Sequence, residues 1–295
     1  MKQQFIEKRF NQSSLIIIEQ ANEIIEEYEQ QGLILTVRQL YYQFVSRDYI
    51  PNTMRSYKRI VNIVNDARLA GLLSWEAIED RTRNLISLPT WLRPSNIMRS
   101  VVDQYRTDKW EDQDYYVEVW IEKEALTGVI AHICNRVEVP YFACRGYVSQ
   151  SELWRAARRL KNKCDAGQTV IVLHLGDLDP SGMDMTRDNN DRLGLLSEYS
   201  DITVERIALN MNQVHQYKPP PNPAKSTDSR HGKYVAEFGT SSWELDALSP
   251  TVIRDLIDAN VARYRNEEVW EESLEQQETG RGKLQEALDF LEGQE

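Results

Sequence analysis

At 295 residues, 41% hydrophobic and 9% aromatic, the chain carries enough apolar material for one large or two ordinary domains, which excludes a disordered protein. No apolar run approaches the roughly 18 residues that span a bilayer, and the opening Met-Lys-Gln-Gln-Phe-Ile-Glu-Lys-Arg lacks the apolar core of a secretory signal. The net charge of −11 argues against nucleic acid as a partner for the whole surface, although the charge is unevenly spread.

Residues 38–109 hold 12 Lys/Arg against 7 Asp/Glu, a local +5, and residues 261–295 hold 4 against 10, a local −6. The first block suits a polyanion and the second a solvated acidic helix; ordinary charged surfaces would read the same way. Cys134, Cys144 and Cys164 follow no metal or redox spacing. Reduced thiols in a cytoplasmic protein with no membrane partner are therefore expected.

In chain order, residues 14–31 predict a helix with Leu15, Ile18, Ala21, Ile24, Ile25 and Tyr28 on one stripe. Asn11 or Ser13 is its expected cap and Gly32 its end. Thr36 is the expected N-cap of a second helix over 37–47, with Val37, Leu40, Tyr41 and Phe44 as its core stripe. Arg38 and Tyr42 share a neighbouring face, four residues apart and within side-chain reach. A third helix over 54–69 follows Pro51-Asn-Thr53 and is closed by Gly71. Its exposed side carries Arg55, Lys58, Arg59 and Arg68, the expected DNA-binding cations. A short helix is expected from Ser74 towards Asp80-Arg-Thr-Arg83. Three short helices, one of them basic, match the size of a helix-turn-helix or winged-helix module; a plain helical bundle has the same pattern.

Residues 86–113 read as a linker with a helix over 96–105. A βαβ pattern follows, with strands at 115–121, 140–143, 169–175 and 202–209 and helices at 125–136, 149–164 and 183–196. This alternation predicts an α/β domain with a mostly parallel sheet flanked by helices and right-handed crossovers. Lys218-Pro-Pro-Pro-Asn-Pro223 excludes a helix or a central strand, and a loop is expected from there to about residue 239, long enough to suggest a binding or interface role or disorder; the unusual stretch 238–248 reads as an interface or active-site lid. Ser249-Pro250 starts a helix, and helices fill the rest. The expected organisation is a winged-helix-like helical domain (1–85), a linker (86–113), the α/β domain with its long loop (114–240) and a helical tail (241–295).

The chemistry gathers at two strand ends. The apolar run of 169–175 stops at Gly176 and delivers Asp177 and Asp179 ahead of a helix. Val117-Glu-Val-Trp-Ile121 likewise ends at Glu122, and in a parallel sheet these ends lie on one edge. A converging Glu122, Asp177 and Asp179 would hold Mg²⁺ through hard oxygen ligands, with Glu124 and Asp184 as supporting acids. The alternatives are an exposed Asp-rich turn and a Glu122 that only caps a helix dipole.

Ile121-Glu-Lys-Glu-Ala125 with Gly176-Asp-Leu-Asp-Pro-Ser-Gly182 resembles the Toprim domain, a metal-binding α/β module of topoisomerases, primases and some nucleases. The closer resemblance is to the A subunit of the type IIB topoisomerases (topoisomerase VI) and the related meiotic double-strand-break proteins. There a winged-helix domain with an Arg-x-x-Tyr-Tyr motif precedes the Toprim domain, as Arg38-Gln-Leu-Tyr-Tyr42 does here. Arg145-Gly-Tyr147 also resembles that family's Lys/Arg-Gly-Tyr step. The resemblance covers residues 36–209.

It implies Tyr42 as the nucleophile that forms a 5′-phosphotyrosyl link, Arg38 as its phosphate or phenolate partner, and Glu122, Asp177 and Asp179 as the Mg²⁺ acids. Lys123, Glu124, Asp184 and Arg145 become supporting residues. It also implies duplex DNA as substrate, a nucleoid-associated homodimer with the tyrosine of one protomer facing the metal site of its partner, and a separate ATPase subunit for strand passage. The chain departs from the family in its shorter length, in Val148 where many members have proline after Gly-Tyr, and in its acidic charge. A hydrolytic Toprim nuclease with a structural Tyr42, and a non-catalytic DNA-binding module, are the alternatives.

Overall fold

The structure is a computed structural model and describes residues 1–30, 32–79, 88–199 and 201–294. Local capping sets the helical N-terminal region. The Asn11 side chain accepts from Ser14 N at 2.9 Å and starts α1 (Gln12–Glu29). Thr36 and Gln39 form a reciprocal capping box at the start of α2 (Val37–Ser46). Thr53 accepts from Ser56 N at 3.1 Å and starts α3 (Met54–Leu69). Gly32 and Gly71, at φ of 72° and 73°, turn the chain after α1 and α3 in a conformation that side chains resist. The predicted stripes meet in one core, except that Leu15 of the first is exposed: Ala21, Ile24 and Tyr28 of α1, Leu40 and Phe44 of α2, and Ile60 and Val64 of α3 are buried together.

The helix expected from Ser74 is absent. Residues 74–78 form a turn, and Ile78 pairs with Leu35 as a single parallel bridge. Backbone partners outside the segment decide this: Trp75 N donates to Met1 O at 3.1 Å and Glu79 N to Leu35 O at 3.2 Å. The segment at residues 80–83 and the expected boundary at 85/86 lie outside the described residues.

The expected linker is exposed over residues 88–93 and packed from its helix onward. Its helix, α4 (Pro94–Gln104), begins with proline at the first turn and lies along α11 (Glu267–Glu292). The fully buried Lys109 ammonium donates to both oxygens of Glu138, at 2.7 and 2.6 Å, and to Gln277 at 2.8 Å. Trp110, also buried, donates to Val137 O at 3.1 Å.

Four parallel strands form the sheet: β1 (Tyr115–Ile121), β2 (Tyr141–Ala143), β3 (Thr169–Leu175) and β4 (Ile202–Ala208), in the order β2-β1-β3-β4. In β1 and β3 every residue but the first is buried, which is why both read as near-continuous apolar runs. Helix α6 (Gln150–Asp165) packs on α7 (Pro180–Ser197), and α5 (Thr127–Arg136) packs on α10 (Pro250–Ala262). No described helix is long and apolar enough to cross a membrane.

The loop expected after Lys218 is corrected. After α8 (Met211–Tyr217), the short strand β5 (Asn222–Pro223) pairs antiparallel with β6 (Ser241–Ser242), and α9 (His231–Phe238) lies between them. Buried Tyr234 anchors α9, donating to Leu178 O at 2.8 Å and Ser241 O at 3.0 Å. Two turns of helix carry a single i,i+4 pair, Tyr234 with Phe238, too short a stripe to stand out after the proline run; the anchor is tertiary.

Candidate active site at the carboxyl edge of the sheet

β1 and β3 run in register to their last residues, Ile121 opposite Leu175. The chain leaves β1 for β2 on one side and returns to β3 on the other, so the connections diverge between β1 and β3. A divergence of this kind opens a crevice beyond the carboxyl ends of the strands. Glu122 and Asp177 emerge there. Glu122 N donates to Leu175 O at 2.9 Å, and Glu122 Oε2 accepts from Asp177 N at 2.8 Å. Gly176 permits this approach: a Cβ there would stand 2.9 Å from Glu122 Oε2.

Both carboxyls are buried. Burial pushes Asp177 up to about 7; Lys123 opposes the rise and the Glu122 charge adds to it. Glu122 is raised too, by burial first and then, against a hydrogen bond from Asp177 N and the Lys123 charge, by Asp179. Asp177 Oδ1 accepts from Leu245 N at 2.7 Å, and Oδ2 lies 3.0 Å from Lys123 Nζ.

Asp179 is the N-cap of α7: its Oδ1 accepts from Gly182 N at 2.6 Å and from Ser181 Oγ at 2.9 Å. Among the described residues, no three His, Cys, Asp or Glu side chains are gathered so as to hold a metal ion. The three acids are hard oxygen donors, but the expected convergence of all three on one point is not present. The arrangement brings Glu122 and Asp177 together and leaves Asp179 on its helix.

Arg206 of β4 holds the turn from beneath. It donates to Gly176 O at 2.9 Å, Asp177 O at 2.6 Å, Gly182 O at 3.0 Å, Thr186 Oγ1 at 2.9 Å and Leu209 O at 3.2 Å. Burial lowers its guanidinium to about 10. The sequence reading missed it, because an arginine on a strand carries no local sign of such partners.

A second group joins this edge to the helical region. Lys123 Nζ lies 2.9 Å from Glu244 Oε2 and 3.1 Å from Asp246 Oδ1. Arg38 reaches the same two acids: Nε is 2.6 Å from Asp246 Oδ2, and a terminal nitrogen pairs with Glu244 Oε2. Arg38 also donates to the Tyr42 hydroxyl at 3.5 Å, and its guanidinium carbon lies 5.7 Å from the ring centroid. The predicted Arg38–Tyr42 proximity is therefore present. Tyr42 itself is only 4% exposed. Burial, followed by the Asp246 and Glu244 charges, raises its phenol above the ordinary value, and Arg38 opposes them. Glu244 is held down to about 2: burial raises it, but Lys123, Arg38 and a hydrogen bond with Tyr42 outweigh that.

Glu244 and Asp246 lie in the 238–248 stretch expected to form an interface or active-site lid, but their pairing with Arg38 and Lys123 was not foreseen. Their alternation with Leu245 and Ala247, which are buried, separates a polar face from a core face. Nothing local points to Arg38, 206 positions away.

The other predicted residues fall into separate groups. Glu124 pairs with Arg145. Asp184 accepts from the Tyr147 hydroxyl at 2.6 Å and pairs with Arg187 and Arg230. Arg55, Lys58 and Arg59 are exposed on α3. Arg68 is folded back, donating to Trp75 O at 2.8 Å with its guanidinium 4.6 Å from the ring centroid. Compared with known proteins, the chain matches no family model and no curated protein.

Proposed function

We propose that this chain cleaves duplex DNA in a Mg²⁺-dependent reaction with Tyr42 as the nucleophile. One observation carries the reading. A phenol–guanidinium pair from the helical region and a buried carboxylate pair from the sheet edge are linked through Lys123, within a single chain. The resemblance to the type IIB topoisomerase A subunit supplies the reaction class.

The Tyr42 oxygen would attack the phosphorus of a phosphodiester. A P–O bond forms to tyrosine as the P–O3′ bond breaks, the phenolic proton passes to water, and the leaving 3′ oxygen takes up a proton. The products are a 5′-phosphotyrosyl end and a free 3′-hydroxyl. Arg38 would hold a non-bridging phosphate oxygen and favour the phenolate. Glu122, Asp177 and Asp179 would bind the Mg²⁺, which supplies charge stabilisation at phosphate. The helical region would act as the winged-helix-like DNA reader, with Arg55, Lys58 and Arg59 on the backbone. A nucleoid-associated homodimer would offer one site to each strand, and strand passage would need a separate ATPase subunit.

The burial of Tyr42 and its raised phenol favour a second reading, hydrolysis by water with Tyr42 as a packing residue. The two separate on one gel. Supercoiled DNA is incubated with protein and Mg²⁺, quenched with detergent and examined for protein on DNA ends. Tyr42→Phe is expected to lose cleavage and linkage together; full cleavage by Tyr42→Phe assigns the reaction to water. Asp177→Ala is expected to lower cleavage at least about a hundredfold in either case. Cleavage that survives it refutes the carboxylate site.

A further inference from the structure

Arg38 Nη2 and Lys123 Nζ converge on one oxygen, Glu244 Oε2, from two different parts of the chain. The Tyr42 hydroxyl accepts from the same Arg38 Nη2 at 3.5 Å. Two cations on a single anionic oxygen, with the Tyr42 phenol on one of them, form a cradle for a phosphate oxygen. All of these groups belong to one chain; the side chains of Arg38, Lys123 and Glu244 are 44%, 20% and 29% exposed, while Tyr42 is buried behind them.

We infer that Arg38, Lys123 and Tyr42 of one chain form a phosphodiester-binding site in which the Glu244 carboxylate is an internal stand-in, displaced by the DNA backbone. The inference rests on the DNA-cleaving reading and deepens it. It makes Lys123 a phosphate ligand and assembles the site in cis.

Three further features support it. Asp246 holds the cradle without Glu244: it pairs with both Arg38 and Lys123, is 3% exposed and lies in a short turn anchored by Leu245 N on Asp177. Removal of Glu244 therefore leaves the two cations placed. A cavity of about 180 Å³ opens beside Glu244 and Tyr42, lined by the Tyr41 and Tyr57 rings and the Asn52 and Asn222 amides. That is room for part of the nucleotide flanking the phosphate. Finally, Glu244 is one of the charges that raise the Tyr42 phenol. Its displacement takes that carboxylate away from the phenol.

The test is binding of a labelled duplex oligonucleotide to the full chain, followed by anisotropy in EDTA, where cleavage does not interfere. Glu244→Gln keeps the side-chain shape and removes the competing charge; it is expected to lower Kd about tenfold. Lys123→Met in the Glu244→Gln background is expected to return Kd to the wild-type value or above. Glu244→Asp, which retracts the carboxylate but keeps its charge, is expected to give a smaller gain; it carries the test alone if Glu244→Gln fails to fold. An unchanged or weaker affinity in the folded variant overturns the inference. So does recovery of tight binding when Arg38→Ala and Lys123→Met chains, each in the Glu244→Gln background, are mixed, since that places the two cations on different protomers. Tenfold tighter binding without any covalent adduct in Mg²⁺ keeps the phosphate site and removes the cleavage reading. An adduct in Mg²⁺ without any gain from Glu244→Gln does the reverse.

Discussion

Gly182→Ala is expected to destabilise the protein by about 3 kcal/mol, whereas Gly194→Ala in the same helix is expected to stabilise it by about 0.5–1 kcal/mol. Both glycines lie in α7, where alanine is intrinsically the better helix former. The surroundings reverse the sign at one of them. A Cβ on Gly182 would stand 3.0 Å from the Asp177 carbonyl carbon, 3.2 Å from Asp177 N and closer still to the carbonyl oxygen. These are backbone atoms of the turn that presents Asp177, with no flexible side-chain end to move aside. A Cβ on Gly194 meets nothing within 4 Å. Urea unfolding of the two variants beside wild type checks the pair. Equal midpoints would mean that the Asp177 turn yields to α7 at little cost.

Arg206→Met is expected to cost about 3–5 kcal/mol. Methionine keeps much of the apolar stem and supplies no donor. The Asp177 and Leu209 carbonyls lose their side-chain donor outright. Gly176 O, Gly182 O and the Thr186 hydroxyl each lose one of their partners, Gly176 O keeping Leu209 N at 2.8 Å and Thr186 keeping His174 Nδ1 at 2.8 Å. Water re-solvates them poorly because the turn is closed over by α7. Arg206→Lys is expected to recover less than half of the loss, because three ammonium donors cannot reach a set arranged around a planar fork. The same measurement decides it, and a Met variant within about 1 kcal/mol of wild type would show that the carbonyls find other partners. Arg206 thus positions Asp177 without belonging to the reacting set.

The legible parts of this chain were those governed by local rules. Thr169–Leu175 and Met54–Leu69 have the bounds that the sequence pattern predicts, because a β-branched run ending at glycine and a Thr-capped amphipathic stretch need no distant partner. The meeting of Glu122 with Asp177 was also legible, since parallel strands in register place their ends on one edge. Asp179 shows the limit. Its spacing suits a ligand and equally suits an N-cap, and it makes the cap bond to Gly182 N. α9, Arg206 and the Glu244–Asp246 pair were illegible for a common reason. Each is defined by partners far along the chain: Tyr234 by Leu178, Arg206 by Gly176, and Glu244 by Arg38.

The 206 positions between Arg38 and Glu244 also set a time order during synthesis. At ~5–20 residues per second, on the order of 10–40 s separates their appearance from the ribosome. The helical core and β1, with Lys123 at its end, are complete well before Glu244 exists. Through that interval Arg38 and Lys123 face solvent without their internal anion. Until residues 241–248 close over the edge, these two cations lack Glu244 and Asp246, and this edge attracts polyanions, including the ribosomal RNA beside it, more strongly than it does in the finished fold.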